Sequence, residues 1–212
     1  IDPNNHAPTD AIGSAFAQAK AVASSPIRLD VIATKFVVRG VDPALVVVPA
    51  GVKVGIRVQA LDVSGNLDLD YEGQQPLVFS GANVALSGHR PTATDFGGGS
   101  KPFGEETPVT FTDGISASTT LALYRAESAS IKATHGLITT DQTDDLDLLV
   151  TGGTPNKLSW REHPKATVVA HAHWAPFGVD VSDTYGNVAA SAVTVTATPT
   201  GCAQSPEGVA AV

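Results

Sequence analysis

Cysteine is all but missing from this chain. Cys202 is the single one in 212 residues, so no intrachain disulfide can form and thiolate metal clusters are excluded. Methionine does not occur at all, and Ile1 opens directly into IDPNNHAPTD. The chain is therefore expected to be a processed product or a piece of something longer. No run of ~18 apolar residues is present to span a bilayer, and no basic-then-apolar leader opens the chain. Positive charge is scarce, with 13 Lys and Arg against 21 Asp and Glu and a net charge of −8. That balance repels phosphate backbones and anionic lipid, so neither nucleic acid nor membrane insertion is expected.

The fingerprints of catalysis are lacking as well. There is no Gly-x-Ser-x-Gly elbow, His-Glu-x-x-His helix, Walker loop or dinucleotide fingerprint. GGGSKPFGE (97–105) has the glycines of a phosphate loop without the Lys-Ser/Thr and helix that follow one. No pair of carboxylates is marked as a buried acid and base. The chain is expected to be no enzyme and to need no cofactor.

What remains is a globular composition, 42% hydrophobic and 16% charged, long enough for one large domain or two small ones. DAIGSAFAQAKAVASS (10–25) is alanine-rich, and Pro26 follows it, so residues 1–26 read as a short helix or a loosely ordered arm. From Ile27 the pattern changes to strands. VKVGIRVQALD puts Val54, Ile56, Val58 and Ala60 on one face and Lys53, Arg57 and Gln59 on the other, the period of a half-buried strand. RLDVIATKFVVRG, QPLVFSG, TPVTFTDG, ASTTLALYRA, ASIKATHG and DLDLLVTGG complete a set of seven short strands closed by Gly, Asp or Asn turns. Such a set fits a two-sheet β-sandwich over residues 27–152.

TGGTPN (151–156) reads as a linker, after which the pattern restarts. KLSWRE echoes KFVVRG, with Lys157 against Lys35 and Arg161 against Arg39, and FGVDVSDTYGN echoes IRVQALDVSGN. Asp183 repeats Asp62 at a spacing of 121 residues. An internal repeat of ~120 residues indicates two copies of one module, the second over 153–212. VTVTATP matches QPLVFSG, yet only about a dozen residues follow it, so the second sandwich is expected to be incomplete. A half sandwich exposes an apolar face and unpaired edges unless further chain or another molecule completes it.

In both copies Asp-x-x-Gly-Asn ends an alternating strand. Glycine supplies positive φ cheaply, and Asp and Asn side chains bond nearby backbone, so both stretches read as sharp corners. The oxygen ligands and the twelfth-position Glu of an EF-hand are missing.

VQALDVSGNLDLDYEGQQPLVFSG and VDVSDTYGNVAASAVTVTATPTG resemble the bacterial immunoglobulin-like repeats of invasin/intimin-type surface proteins and adhesins. VTFTDGISASTTLALYRAESASIKATHG (109–136) is similar to the second half of such a repeat. The likeness covers about 32–152 well and 156–202 in part. It implies tandem immunoglobulin-like sandwiches, extracellular or on the cell surface, serving without catalysis as scaffold or spacer in a surface protein, filament or surface layer. The partners it implies are neighbouring immunoglobulin-like modules or copies of the chain itself. The alternative is an adhesin or carbohydrate-binding module attached to a larger secreted protein.

Few residues suggest chemistry. His171 and His173 share one face of a strand, with Glu162 and His163 nearby, a spacing more common on a wet strand face than in a zinc site. Asp141, Asp144 and Asp145, just ahead of the linker, are the calcium candidates, since Ca²⁺ at a module junction takes carboxylate oxygens. Asp147, Asp68 and Asp70 read as an exposed strand face or further ligands. In the long connection 87–108, Phe96 and Phe103 are apolar residues a solvated loop does not need, so they are the binding candidates, expected to pack on a neighbouring module. Trp160 and Trp174 lie in strand-like runs and are expected in a core, which disfavours a sugar-stacking platform.

Overall fold

In the computed structural model, the described residues are 31–164, 175–189 and 194–196. The expected helix or arm at 1–26, the pair His171 and His173, Trp174 and most of VTVTATP lie outside them. Residues 194–196 carry no strand pairing. Residues 32–212 belong to one compact unit.

The fold is all-β. Fourteen strands run in chain order as β1 (Lys35–Gly40), β2 (Val47–Pro49), β3 (Lys53–Leu61), β4 (Gly73–Ser80), β5 (Thr92–Thr94), β6 (Ser100–Pro102), β7 (Glu106–Thr112), β8 (Ile115–Ser116), β9 (Thr119–Ala122), β10 (Glu127–His135), β11 (Ile138–Thr140), β12 (Leu146–Thr151), β13 (Lys157–Glu162) and β14 (Gly178–Ser182). Each of the seven strands expected before the linker is present, as β1, β3, β4, β7, β9, β10 and β12.

The pairing differs from two separate sheets. Hydrogen bonds run continuously through β1, β11, β10, β4, β7, β8 and β3, and β3 pairs back on β1, closing a seven-strand ring. β9, β5 and β6 extend from β3, while β12 and β2 extend from β10. Closure rests on two short strands. β8 bridges β7 to β3 after a turn in which Asp113 and Gly114 both have positive φ (48° and 75°), and β11 bridges β10 to β1. Two- and three-residue strands carry too little hydrophobic periodicity to be read from sequence, so the ring was invisible there.

One core fills the ring. β3 alternates as expected, with Val54, Ile56, Val58 and Ala60 buried, and meets Phe36, Val38, Leu77, Phe79, Phe111, Leu121, Ile131 and Leu148. Every member of this cluster lies between Ala33 and Val150, so the first module carries a complete core of its own. Tyr71 packs edge-on to Phe36 and Phe111, and its hydroxyl lies 2.6 Å from His135 Nδ1. Burial first, then the nearby Asp68, pushes the Tyr71 phenol up to about 12.

The 87–108 connection is not an open loop. β5 and β6 form a hairpin whose tip is closed by Asp95 Oδ1, which accepts from Gly97 N at 3.0 Å and Gly99 N at 2.7 Å. Phe103 is only 7% exposed and packs against Phe79 in the core of its own module, whereas Phe96 sits near the tip and is 60% exposed. Phe103 is thus an internal anchor and not a docking residue.

The second copy is described in part, as the two-stranded sheet of β13 and β14. From Lys157 to Trp160 its register matches that of β1 and β3, and a bulge shifts it between Trp160 and Glu162. Lys157 pairs with Ser182 as Lys35 pairs with Leu61, so Leu158 takes the place of Phe36 and Trp160 that of Val38. Phe36 and Val38 are fully buried, but Leu158 is exposed and Trp160 is 47% exposed, next to Phe177 and His163. This corrects the expectation that Trp160 is a core residue. Among the described residues, nothing in the second copy corresponds to Tyr71 and Phe111, which cover Phe36 in the first.

These placements separate the two phenylalanines. Phe103→Ala is expected to cost about 3–5 kcal/mol of stability, and Phe96→Ala to stay within about 0.5 kcal/mol. Urea titrations of the two variants measure this, and equal losses would contradict the assignment.

Candidate functional site

The site is the junction between the Asp-x-x-Gly-Asn turn of the second copy and one end of the first module. The two turns share one design. Asp62 N donates to Asn66 O and Asp183 N to Asn187 O, each at 2.9 Å, and Gly65 and Gly186 both sit at φ 88°. The left-handed conformation at those positions favours glycine because a Cβ is strained there. The carboxylate then satisfies the turn from inside. Asp62 Oδ1 accepts from Ser64 N and Asn66 N at 2.8 Å each, and Oδ2 from Asn66 Nδ2 at 2.9 Å. Asp183 does the same with Tyr185 N, Asn187 N and Asn187 Nδ2. The corners expected from sequence are therefore present in both copies.

Their surroundings differ. Around the first turn, Val63, Ser64, Gly65 and Asn66 are all exposed. In the second, Asp183 is 3% and Asn187 6% exposed, because the turn is seated on the first module. Asn187 Oδ1 accepts from Ala126 N at 2.8 Å while its Nδ2 donates to Tyr124 O at 2.9 Å, so the side-chain amide bridges the backbone of the β9–β10 connection. Asp183 Oδ2 also accepts from Gly153 N at 2.8 Å, and Ser87 N donates to Tyr185 O at 3.2 Å. The Tyr185 ring lies against Tyr124 and His89, with centroids 5.0 and 5.2 Å away.

Two glycines make room. A Cβ on Gly51 would collide with the Tyr185 ring and hydroxyl, and one on Gly152 with the Val188 carbonyl. Gly51 also has φ 81°, so a side chain would be strained whatever the space.

Burial works to raise the Asp183 pKa. The hydrogen bonds from the Asn187 side chain and from the backbone of Gly153, Asn187 and Tyr185 outweigh it and hold the carboxyl below its usual value. For Asp62 the Asn66 side chain is the largest cause of a similar lowering.

The acidic run before the linker is arranged differently from a cation site. Asp144 lies 2.9 Å from Lys35 Nζ and 3.8 Å from Arg39, and Asp145 lies 3.5 Å from Lys132 Nζ and accepts from Thr140 Oγ1. Asp141 is exposed, and its carbonyl accepts from Asp144 N. Two of the three carboxylates proposed for calcium, Asp144 and Asp145, thus have cationic partners within the chain. Asp145 is buried, as is Asp68, read as an exposed strand face or a further ligand, whose Oδ2 accepts from Ala33 N at 2.9 Å. Among the described residues no group of three or more His, Cys, Asp and Glu is placed to hold a metal. Two surface depressions, one lined by Arg39, Arg57, Gln59 and Ile115 and one by Val41, Leu45, Val52 and Val54, include no Ser, Cys or His.

The sequence reading missed the receiving surface. Its hydrogen-bonding groups are the backbone of Tyr124 and Ala126, which no residue type announces. Gly51 in PAGVK and Tyr185 inside the second turn were the only side-chain signals. Comparison with known proteins finds no family model and no curated protein that matches the chain.

Two outcomes check the junction. Asn187→Ala removes two part-buried hydrogen bonds, from Ala126 N and to Tyr124 O, and is expected to cost about 1–3 kcal/mol, more than Asn66→Ala in the exposed turn; denaturant titration compares them. Because the folded Asp183 pKa is lowered, its contribution is complete above the ordinary value of ~3.9 and is lost as pH falls through the folded pKa. The Gly153 and Tyr185 amide NMR shifts should therefore titrate together with a midpoint below ~3.9. A midpoint at or above it would contradict the bonding scheme.

Proposed function

We propose that this chain is a non-catalytic spacer: immunoglobulin-like β-modules in series, from a bacterial extracellular or cell-surface protein, held in a fixed relation by the Asp-x-x-Gly-Asn turn of each following module. The single observation that carries the reading is the seating of the 183–187 turn on the first module through three hydrogen bonds, two made by the Asn187 side chain and one by the Tyr185 carbonyl, with Asp183 also tied to Gly153 of the linker. A flexible tether needs no such bonds, and a spacer that transmits orientation does. The two ladders of the first module, one around β3 and one around β4 and β10, share a single core. That arrangement supports the finer description as a sandwich of the immunoglobulin type whose edges are bridged by β8 and β11. The partners are then neighbouring modules of the same kind, and the joint works without calcium, since its carboxylate is saturated by N–H donors.

The exposed Trp160 favours the adhesin or carbohydrate-binding alternative to a degree, because ring faces stack on sugars. Its counterpart Val38 is buried in the complete module, so exposure here follows from the absence of a covering layer among the described residues.

Asp183→Ala tests the spacer reading by removing the acceptor for Gly153, Tyr185 and Asn187. Small-angle scattering should show a longer maximum dimension and a broader distance distribution than the unaltered chain, with the circular dichroism of the β-structure retained. Superimposable curves would sink the reading.

A further inference from the structure

The 62–66 turn matches the seated turn in every internal bond but leaves its bridging group unused. Among the described residues, the Asn66 side-chain amide bonds only Asp62, while the equivalent Asn187 amide also joins Tyr124 O and Ala126 N. The strands entering the two turns are held alike, with Lys35 opposite Leu61 and Lys157 opposite Ser182. After each turn the chain closes the same bridge, Leu61 with Leu67 and Ser182 with Val188. A rigid, pre-bonded corner with an exposed Asn amide at its tip is thus presented on the first module at the place where the second module makes its joint.

We infer that the 62–66 turn is a plug for the open end of another module of this kind, one lying upstream in the polypeptide. The end it fits offers an N–H and a C=O two residues apart in one connection, as Ala126 and Tyr124 do, for Asn66 to bridge. This chain's own end is not the occupant, since the 183–187 turn fills it. The plug differs in one respect: Ser64 stands where Tyr185 inserts its ring. The recess that Gly51 keeps open for Tyr185 is therefore not required of the upstream partner. The inference rests on the spacer reading, and its test separates the two.

The first arm uses the chain with Thr184→Val and Tyr185→Ser, which gives the second turn the DVSGN sequence of the first. Solvent exchange of the Asn187 side-chain amide, followed by NMR, is expected to remain at least ~10-fold slower than that of Asn66. Equal exchange of the two amides would show that DVSGN does not seat, and would overturn the inference while leaving the native junction intact. The second arm is an internal duplication, residues 1–156 followed by 35–212, with Asn66→Ser in the leading copy. The remaining Asn66 should slow by ~10-fold relative to the single chain, and Ser64→Tyr in that copy should slow it further. Unchanged exchange of this Asn66 beside a protected Asn187 would also overturn the inference. Free exchange of Asn187 in the unaltered chain would remove the spacer reading and this inference together.

Discussion

The carboxylate of Asp183 accepts four hydrogen bonds, three from within its own turn and one from Gly153 in the linker. The rest of the junction depends on that saturation. A five-residue turn buried against another surface would otherwise bring unsatisfied N–H groups with it, each costing about 1–3 kcal/mol. With those donors satisfied from inside, Asp183 and Asn187 can be buried at the joint, and Asn187 is free to reach outward. With one amide N–H given to Asp183, its other N–H and its Oδ1 are left side by side, the same pair that a neighbouring strand presents, so they can bridge the backbone of Tyr124 and Ala126 without any specific side chain opposite.

The receiving surface is a product of the fold of the first module. Its parts come from four places: the β2–β3 turn with Gly51, Ser87 to His89 after β4, the β9–β10 connection, and the exit of β12 at Gly152 and Gly153. The closed ring and its single core fix these against each other, so that the backbone groups meet the turn at 2.8–2.9 Å. The same use of a carboxylate recurs at Asp95 in the β5–β6 tip and at Asp42, whose Oδ1 accepts from Ala44 N. Aspartate in this protein chiefly closes turns and pairs with lysine, and the acidic net charge needs no ligand to account for it.

Period-two alternation was enough to find the long strands, because burial of one face leaves a direct imprint on residue choice. Val54 to Ala60 is the clearest case. The two matching corners were readable for the same reason: Asp, Gly and Asn at fixed offsets are demanded by backbone conformation and bonding. The bridging strands β8 and β11 were not readable, since two or three residues hold no period, and without them the ring looks like two sheets. Phe103 misled because a hairpin rich in glycine and proline resembles an open loop until its pairing is known. Trp160 misled in the opposite sense, since a strand residue is buried only when something covers it. The joint itself was half hidden. The plug was written in side chains and was seen as a corner; its receptor was written in backbone groups and left no mark.

The central claim is that the 183–187 turn and the first module move as one body. Backbone N–H residual dipolar couplings in a weakly aligning medium test this most directly, measured for β3, β4 and β10 and for β14 with its turn. The account predicts that one alignment tensor fits both sets. Two tensors of different magnitude or orientation would show independent motion and contradict it.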